Sequence, residues 1–84
     1  MQVELVTPEQ VLYQGEASMV IVRTLDGDIG ILPGHAPVLG ALRPGRVRIV
    51  KPDGSEEVAV VDSGFVEVID DRVTILADGA RSGG

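Results

Sequence analysis

The sequence predicts an all-β domain, a flattened β-sandwich of about ten short strands in two mainly antiparallel sheets. Three observations carry this expectation. Valine dominates the apolar positions from Val3 to Val73, and β-branching suits a pleated surface better than a helix. Gly and Pro, 11 and 5 of them in 84 residues, punctuate the chain at short intervals and mark turns. No stretch long enough for a helix holds an i, i+3, i+4, i+7 apolar pattern free of Gly or Pro.

The elements follow in order. Gln2 to Val6 reads as a strand with Val3 and Leu5 on one face, broken at Thr7-Pro8-Glu9-Gln10, where Thr7 can cap a turn that Pro8 starts. Val11 to Tyr13 is a brief strand closed by Gly15, and Ala17 to Thr24 is a stronger, alternating one. Asp26-Gly27 is a tight-turn signal, because Gly supplies positive φ, and Ile29 to Ile31 follows as a short strand. Pro33 and Pro37 bracket a loop before Val38 to Leu42 resumes extended structure and Arg43-Pro44-Gly45 turns the chain.

Arg46 to Lys51 and Glu56 to Val61 flank Pro52-Asp53-Gly54-Ser55 as a hairpin. A two-residue Asp53-Gly54 turn sets Val47 opposite Val60, Ile49 opposite Val58 and Lys51 opposite Glu56. Phe65 to Ile69, a turn at Asp70-Asp71, and Val73 to Ala77 complete the set. One domain spans residues 1–78, and residues 79–84, with nothing to bury, are expected as a flexible tail.

Composition removes several function classes. A net charge of −6 disfavours nucleic-acid backbones and anionic lipid. No apolar run approaches the ~20 residues that span a bilayer, and the N-terminus lacks a basic region followed by an apolar stretch. The chain has no Cys and a single histidine, His35, so no thiolate metal site exists and no spacing suggests a His-carboxylate one. No serine lies in a G-x-S-x-G context, and the glycines around Gly27, Gly30 and Gly34 lack the phosphate-loop pattern. The expectation is a non-enzyme without cofactor, metal or small-molecule substrate.

What remains is surface. Arg43, Arg46, Arg48 and Lys51 read first as a solvated face balanced by Glu56, Glu57 and Glu67, and second as a patch for an acidic partner. The segment from Gly30 to Leu39 is apolar at Ile31, Leu32, Ala36, Val38 and Leu39, yet surrounds a loop braced by two prolines. Such bracing sets a shape before any partner arrives. His35 at its centre either ties down its own loop or hydrogen-bonds a partner.

Gly27-Asp28-Ile29-Gly30-Ile31-Leu32-Pro33-Gly34-His35-Ala36-Pro37-Val38-Leu39 is similar to a block of the epsilon subunit of F-type ATP synthases, in its N-terminal β-domain. Arg43-Pro44-Gly45 with Arg48-Ile49, Ser63-Gly64-Phe65-Val66-Glu67-Val68 and Val73-Thr74-Ile75-Leu76-Ala77-Asp78 match later blocks in order, with Ser63 where the family often has Gly. Family members usually continue into a two-helix C-terminal domain, which this sequence lacks, so the inhibitory role placed there does not carry over.

The resemblance implies a peripheral rotor subunit that binds gamma and the c-ring and helps couple proton flow to ATP synthesis, at the cytoplasmic face of a bacterial plasma membrane. By position, Asp26, Gly27, Asp28, Ile29 and Gly30 would meet the c-ring. Ile31, Leu32, Pro33, Gly34, His35, Ala36, Pro37, Val38 and Leu39 would lie on the gamma side. The alternative is a free-standing sandwich that binds a small molecule, which requires a concave apolar pocket with a few convergent polar groups.

Overall fold

Alternation of inward and outward side chains organises the whole chain into strands. A computed structural model describes residues 1–83. Its strands are β1 (Gln2–Val6), β2 (Val11–Glu16), β3 (Met19–Thr24), β4 (Gly27–Ile31), β5 (Val38–Leu42), β6 (Gly45–Val50), β7 (Glu56–Val61), β8 (Gly64–Ile69), β9 (Arg72–Ala77) and β10 (Ala80–Ser82). In β9, for example, Val73, Ile75 and Ala77 point inward and Arg72 and Leu76 outward, the period of two that a half-buried strand requires.

The strands run in the order β10-β7-β6-β3-β5-β8-β9-β1-β2, with β4 on β3. One layer holds β10, β7, β6, β3 and β4, and the other β5, β8, β9, β1 and β2. All pairings are antiparallel except β1 with β9. The expected two sheets are joined into one hydrogen-bonded network, among the described residues, through a single bridge, Thr24 with Leu42. The layers close on an aliphatic core in which Leu5, Val20, Val22, Ile31, Ile49, Val66 and Ile75 are among the fully buried residues. No aromatic ring belongs to that buried set. Tyr13 packs at its margin, and Phe65 faces outward.

Gly64 shows why one glycine is fixed. Its φ is +150°, and a Cβ built there would collide with the carbonyl oxygen of Leu76 on the paired strand. Two features correct the sequence expectation. The β6–β7 hairpin pairs Val47 with Ala59, Ile49 with Glu57 and Val50 with Glu56, one residue away from the expected register. A two-residue Asp53-Gly54 turn would need an N–H from residue 52, and proline has none. Pro52 instead takes the second position of a turn closed by Gly54 N–H to Lys51 O at 2.9 Å. Lys51 N–H then bonds Ser55 O at 2.8 Å, with Gly54 at φ +88°.

The second correction concerns residues 79–84. Ala80, Arg81 and Ser82 pair with Val61, Val60 and Ala59 as an edge strand, and Ala80 packs on the core. The expected tail is therefore structured over this stretch; Gly84 lies outside the described residues.

Candidate protein-docking surface

The β3–β4 hairpin carries the first group of expected contact residues. Thr24 pairs with Gly27, so the turn residues are Leu25 and Asp26, and Gly27 (φ +125°) opens the strand instead of occupying the turn. The buried Thr24 hydroxyl fixes this tip. Its Oγ1 donates to Gly27 O at 2.7 Å and accepts from Asp26 N–H at 3.2 Å. Asp26 and Asp28 are exposed, and Arg23 Nε donates to Asp28 Oδ1 at 3.3 Å. Leu25, outside the contact residues expected from the sequence, projects from the tip. Ile29 turns inward against the core, while Gly30 is exposed.

The second group behaves in two ways. Ile31 is 0% exposed, so the expectation that it lies on the gamma-side surface is corrected. It alternates with Gly30 on a strand whose inward face is the core. Val38 is half-buried and packs on the core. Between these anchors, Leu32-Pro33-Gly34-His35 forms a type II turn: His35 N–H donates to Leu32 O at 3.1 Å, and Gly34 has φ +83°. Pro33 and Gly34 are the residues such a turn demands at its second and third positions. His35 Nδ1 donates to Ala36 O at 2.7 Å, so the histidine ties its own loop. Leu32, Pro33, Gly34, Ala36, Pro37 and Leu39 are exposed.

From Leu39 the apolar surface continues beyond the expected contact residues, across β5, β8 and β9. Pairing sets Leu39 beside Glu67 and Ala41 beside Phe65, then Phe65 beside Leu76 and Glu67 beside Thr74. Leu39, Phe65 and Leu76 are 73%, 56% and 53% exposed, and with Glu67 and Thr74 they line a shallow depression on the open sheet face. Ile69 and Val11 extend the exposed apolar side chains toward either end. Alternation carries the signal for this face: if Val66 and Val68 are core, then Phe65, Glu67 and Ile69 must point the other way.

Charge gathers elsewhere. On the outer face of β6, Arg48 bonds Glu56 in bidentate fashion, Nε to Oε1 at 2.8 Å and Nη2 to Oε2 at 3.0 Å. This pair holds the Glu56 carboxyl below its ordinary range and raises the Arg48 guanidinium. Lys51 lies 3.9 Å from Glu57 and not opposite Glu56 as expected. The basic cluster is thus partly neutralised by its own strands. A cleft lined by Leu5, Leu12, Ile49, Glu57 and Ala59 encloses only about 90 Å³. The depression at Leu39, Phe65 and Leu76 is larger, about 330 Å³, but it is a shallow hollow on an open sheet face with Glu67 and Thr74 as its polar lining, not an enclosed pocket with convergent polar groups.

A β-sandwich whose single phenylalanine faces solvent beside a braced loop has the surface of a component of an assembly. The chain belongs to the family described as "ATP synthase, Delta/Epsilon chain, beta-sandwich domain", which matches residues 1–83. It is 50% identical over 80 residues to the ATP synthase epsilon chain of Frankia casuarinae, covering 95% of this chain and 94% of that one. It is 53% identical to the epsilon chain of Desulforudis audaxviator, spanning 58% of that protein. For the epsilon chain of Neisseria meningitidis serogroup C the identity is 49% and the share spanned 56%.

Among solved structures, a chain of the Euglena gracilis mitochondrial ATP synthase (OSCP/F1/c-ring, rotational state 1) superposes with a TM-score of 0.89 at 26% identity, over 95% of this chain and 51% of that one. A chain of the Tetrahymena thermophila central stalk and c-ring shares the fold, with a TM-score of 0.81 at 20% identity, over 96% of this chain and 65% of that one.

Proposed function

We propose that the chain is a non-catalytic central-stalk subunit of a proton-translocating ATP synthase, binding gamma on one surface and the c-ring on another. Its role is to help couple ring rotation to ATP synthesis, as a peripheral subunit at the cytoplasmic face of a bacterial plasma membrane. The observation that carries this reading is the continuous outward surface of the Leu32–Leu39 loop with Phe65 and Leu76. An exposed apolar face of this kind is stable in water only at a cost, and a partner that covers it gains roughly 25 cal/mol per Å².

The gamma-side residues of this reading are Leu32, Pro33, Gly34, His35, Ala36, Pro37, Val38 and Leu39, now joined by Phe65 and Leu76. The β3–β4 tip, with Leu25, Asp26 and Asp28, faces the c-ring loops. The resemblance of the Gly27-to-Leu39 block and the Euglena assembly, described as containing F1 and a c-ring, both support this assignment.

Calorimetry with purified gamma tests it. Phe65→Glu with Leu39→Glu should weaken binding at least about a hundredfold, because an uncompensated charge buried at an interface costs several kcal/mol. Wild-type affinity in this double variant would remove the strip from the contact.

A further inference from the structure

The turn between β8 and β9 is built against local preference. Asp70 and Asp71 hold left-handed backbone angles, φ 50° and 60°, and among the described residues no other non-glycine does so. Primed hairpin turns take glycine, asparagine or aspartate, most often with glycine second, so two consecutive non-glycine residues at positive φ carry a backbone cost that persists where the surroundings over-determine it. Asp71 has long-range partners that account for it. Its Oδ1 accepts the Gly34 N–H at 3.0 Å, and its backbone carbonyl accepts the Gln2 N–H at 3.1 Å.

Gly34 is the third residue of the type II turn in the proline-braced loop. In such a turn the closing hydrogen bond uses the fourth residue's N–H, so the third residue's N–H has no partner inside the turn. The Asp71 carboxylate supplies one, and an ionised acceptor makes the stronger kind of hydrogen bond. The loop's other bonds, His35 N–H to Leu32 O and His35 Nδ1 to Ala36 O, are internal to it. They set its curvature but not its orientation on the sheet. The bond from Asp71 ties it to the β8–β9 turn; Phe65 and Leu76 stand toward the other end of the same two strands, with Leu39 between them and the loop.

We infer that Asp71 is a positioning residue whose carboxylate clamps the Leu32–Pro37 loop onto the sheet, so that loop and apolar strip meet a partner as one preformed surface. The docking half of this inference rests on the function proposed above; the clamp itself does not. Preorganisation of this sort strengthens binding by removing the ordering cost at the moment of contact.

Three variants separate the contributions. Asp71→Gly relaxes the strained turn and removes the acceptor. Asp70→Gly relaxes the same turn and keeps it. Asp71→Asn tolerates the left-handed angle and retains a side-chain carbonyl. Amide exchange at Gly34 and His35 in the free chain should quicken about fivefold or more in Asp71→Gly, as expected for loss of a hydrogen bond to a charged group. It should stay within about twofold of wild type in Asp70→Gly and fall between wild type and Asp71→Gly in Asp71→Asn, whose neutral carbonyl makes the weaker bond. Calorimetry with gamma should show Asp71→Gly weakened about five- to tenfold, Asp70→Gly near wild type and Asp71→Asn between them.

Unchanged exchange in Asp71→Gly would mean no clamp exists. Faster exchange with wild-type affinity would overturn the positioning role, leaving a merely local bond. If the wild-type chain does not bind gamma at all, the proposed function and the docking role fall together, and exchange still decides the clamp.

Discussion

Thr24 and Leu42 form the one backbone bridge between the two layers among the described residues, flanked by Leu25 N–H to Ala41 O at 3.0 Å and Arg43 N–H to Arg23 O at 2.9 Å. The same Thr24 directs its hydroxyl to Gly27 O and Asp26 N–H. Corner and tip therefore meet at one buried residue, through its backbone and its side chain respectively. Thr24→Val keeps the shape and deletes the hydroxyl, leaving both backbone groups without that partner. It should cost about 1–3 kcal/mol in urea unfolding, with faster amide exchange at Asp26.

Gly64 should tolerate nothing larger. With positive φ and no room before the Leu76 carbonyl, Gly64→Ala should lower stability by about 2–4 kcal/mol. Gly30→Ala is the control, because a Cβ there meets open space, and its denaturation midpoint should shift by no more than about 0.5 kcal/mol.

Acid should weaken the β6–β7 hairpin. Glu56 is depressed first by its bond to Arg48, and Asp53 first by the Ser55 hydroxyl. A carboxylate depressed in the folded state stabilises fully above its unfolded pKa of about 4 and loses that contribution as pH falls through the lower folded value. Stability should therefore decline as pH drops below about 4. Glu56→Gln should flatten the decline, as read from urea midpoints across pH; an identical slope would exclude the pair as a contributor.

Removing residues 79–84 should cost about 1–3 kcal/mol, since β7 loses its β10 partner and Ala80 leaves the core margin. A thermal melt of the shortened chain checks this.

Leu39→Ser with Phe65→Ser should leave the urea midpoint within about 0.5 kcal/mol of wild type, because both side chains already face water. Binding of a hydrophobic dye should fall if the strip is the open apolar face described.

Much of this was readable from residues. Val, Gly and Pro placement foretold the strands, and the Asp70-Asp71 turn and the loop between Pro33 and Pro37 stand where the sequence puts them. The β6–β7 register differs from the sequence expectation because Asp53-Gly54 is a strong hairpin signal, while the missing N–H of Pro52 rules out the two-residue turn it suggests. β10 was missed because Ala80-Arg81-Ser82 has no apolar pattern; its pairing is a matter of backbone supplied by β7. Ile31 was misplaced because an apolar residue beside a loop looks the same whether it faces core or solvent until the neighbouring strand fixes the register. The strip at Phe65 and Leu76 depends on three strands meeting, and no local window contains that.

β4 pairs on one side only, so a row of its amides and carbonyls stands open to any strand that arrives. Asp26 at the tip and Asp28, itself bonded to Arg23, flank that rim, and charged side chains beside an open edge discourage edge-to-edge pairing. At neutral pH the net −6 guards the molecule against its own copies. Near pH 4.5, where the sequence places zero net charge, that overall repulsion lapses, and association between copies becomes the hazard of handling the protein in mild acid.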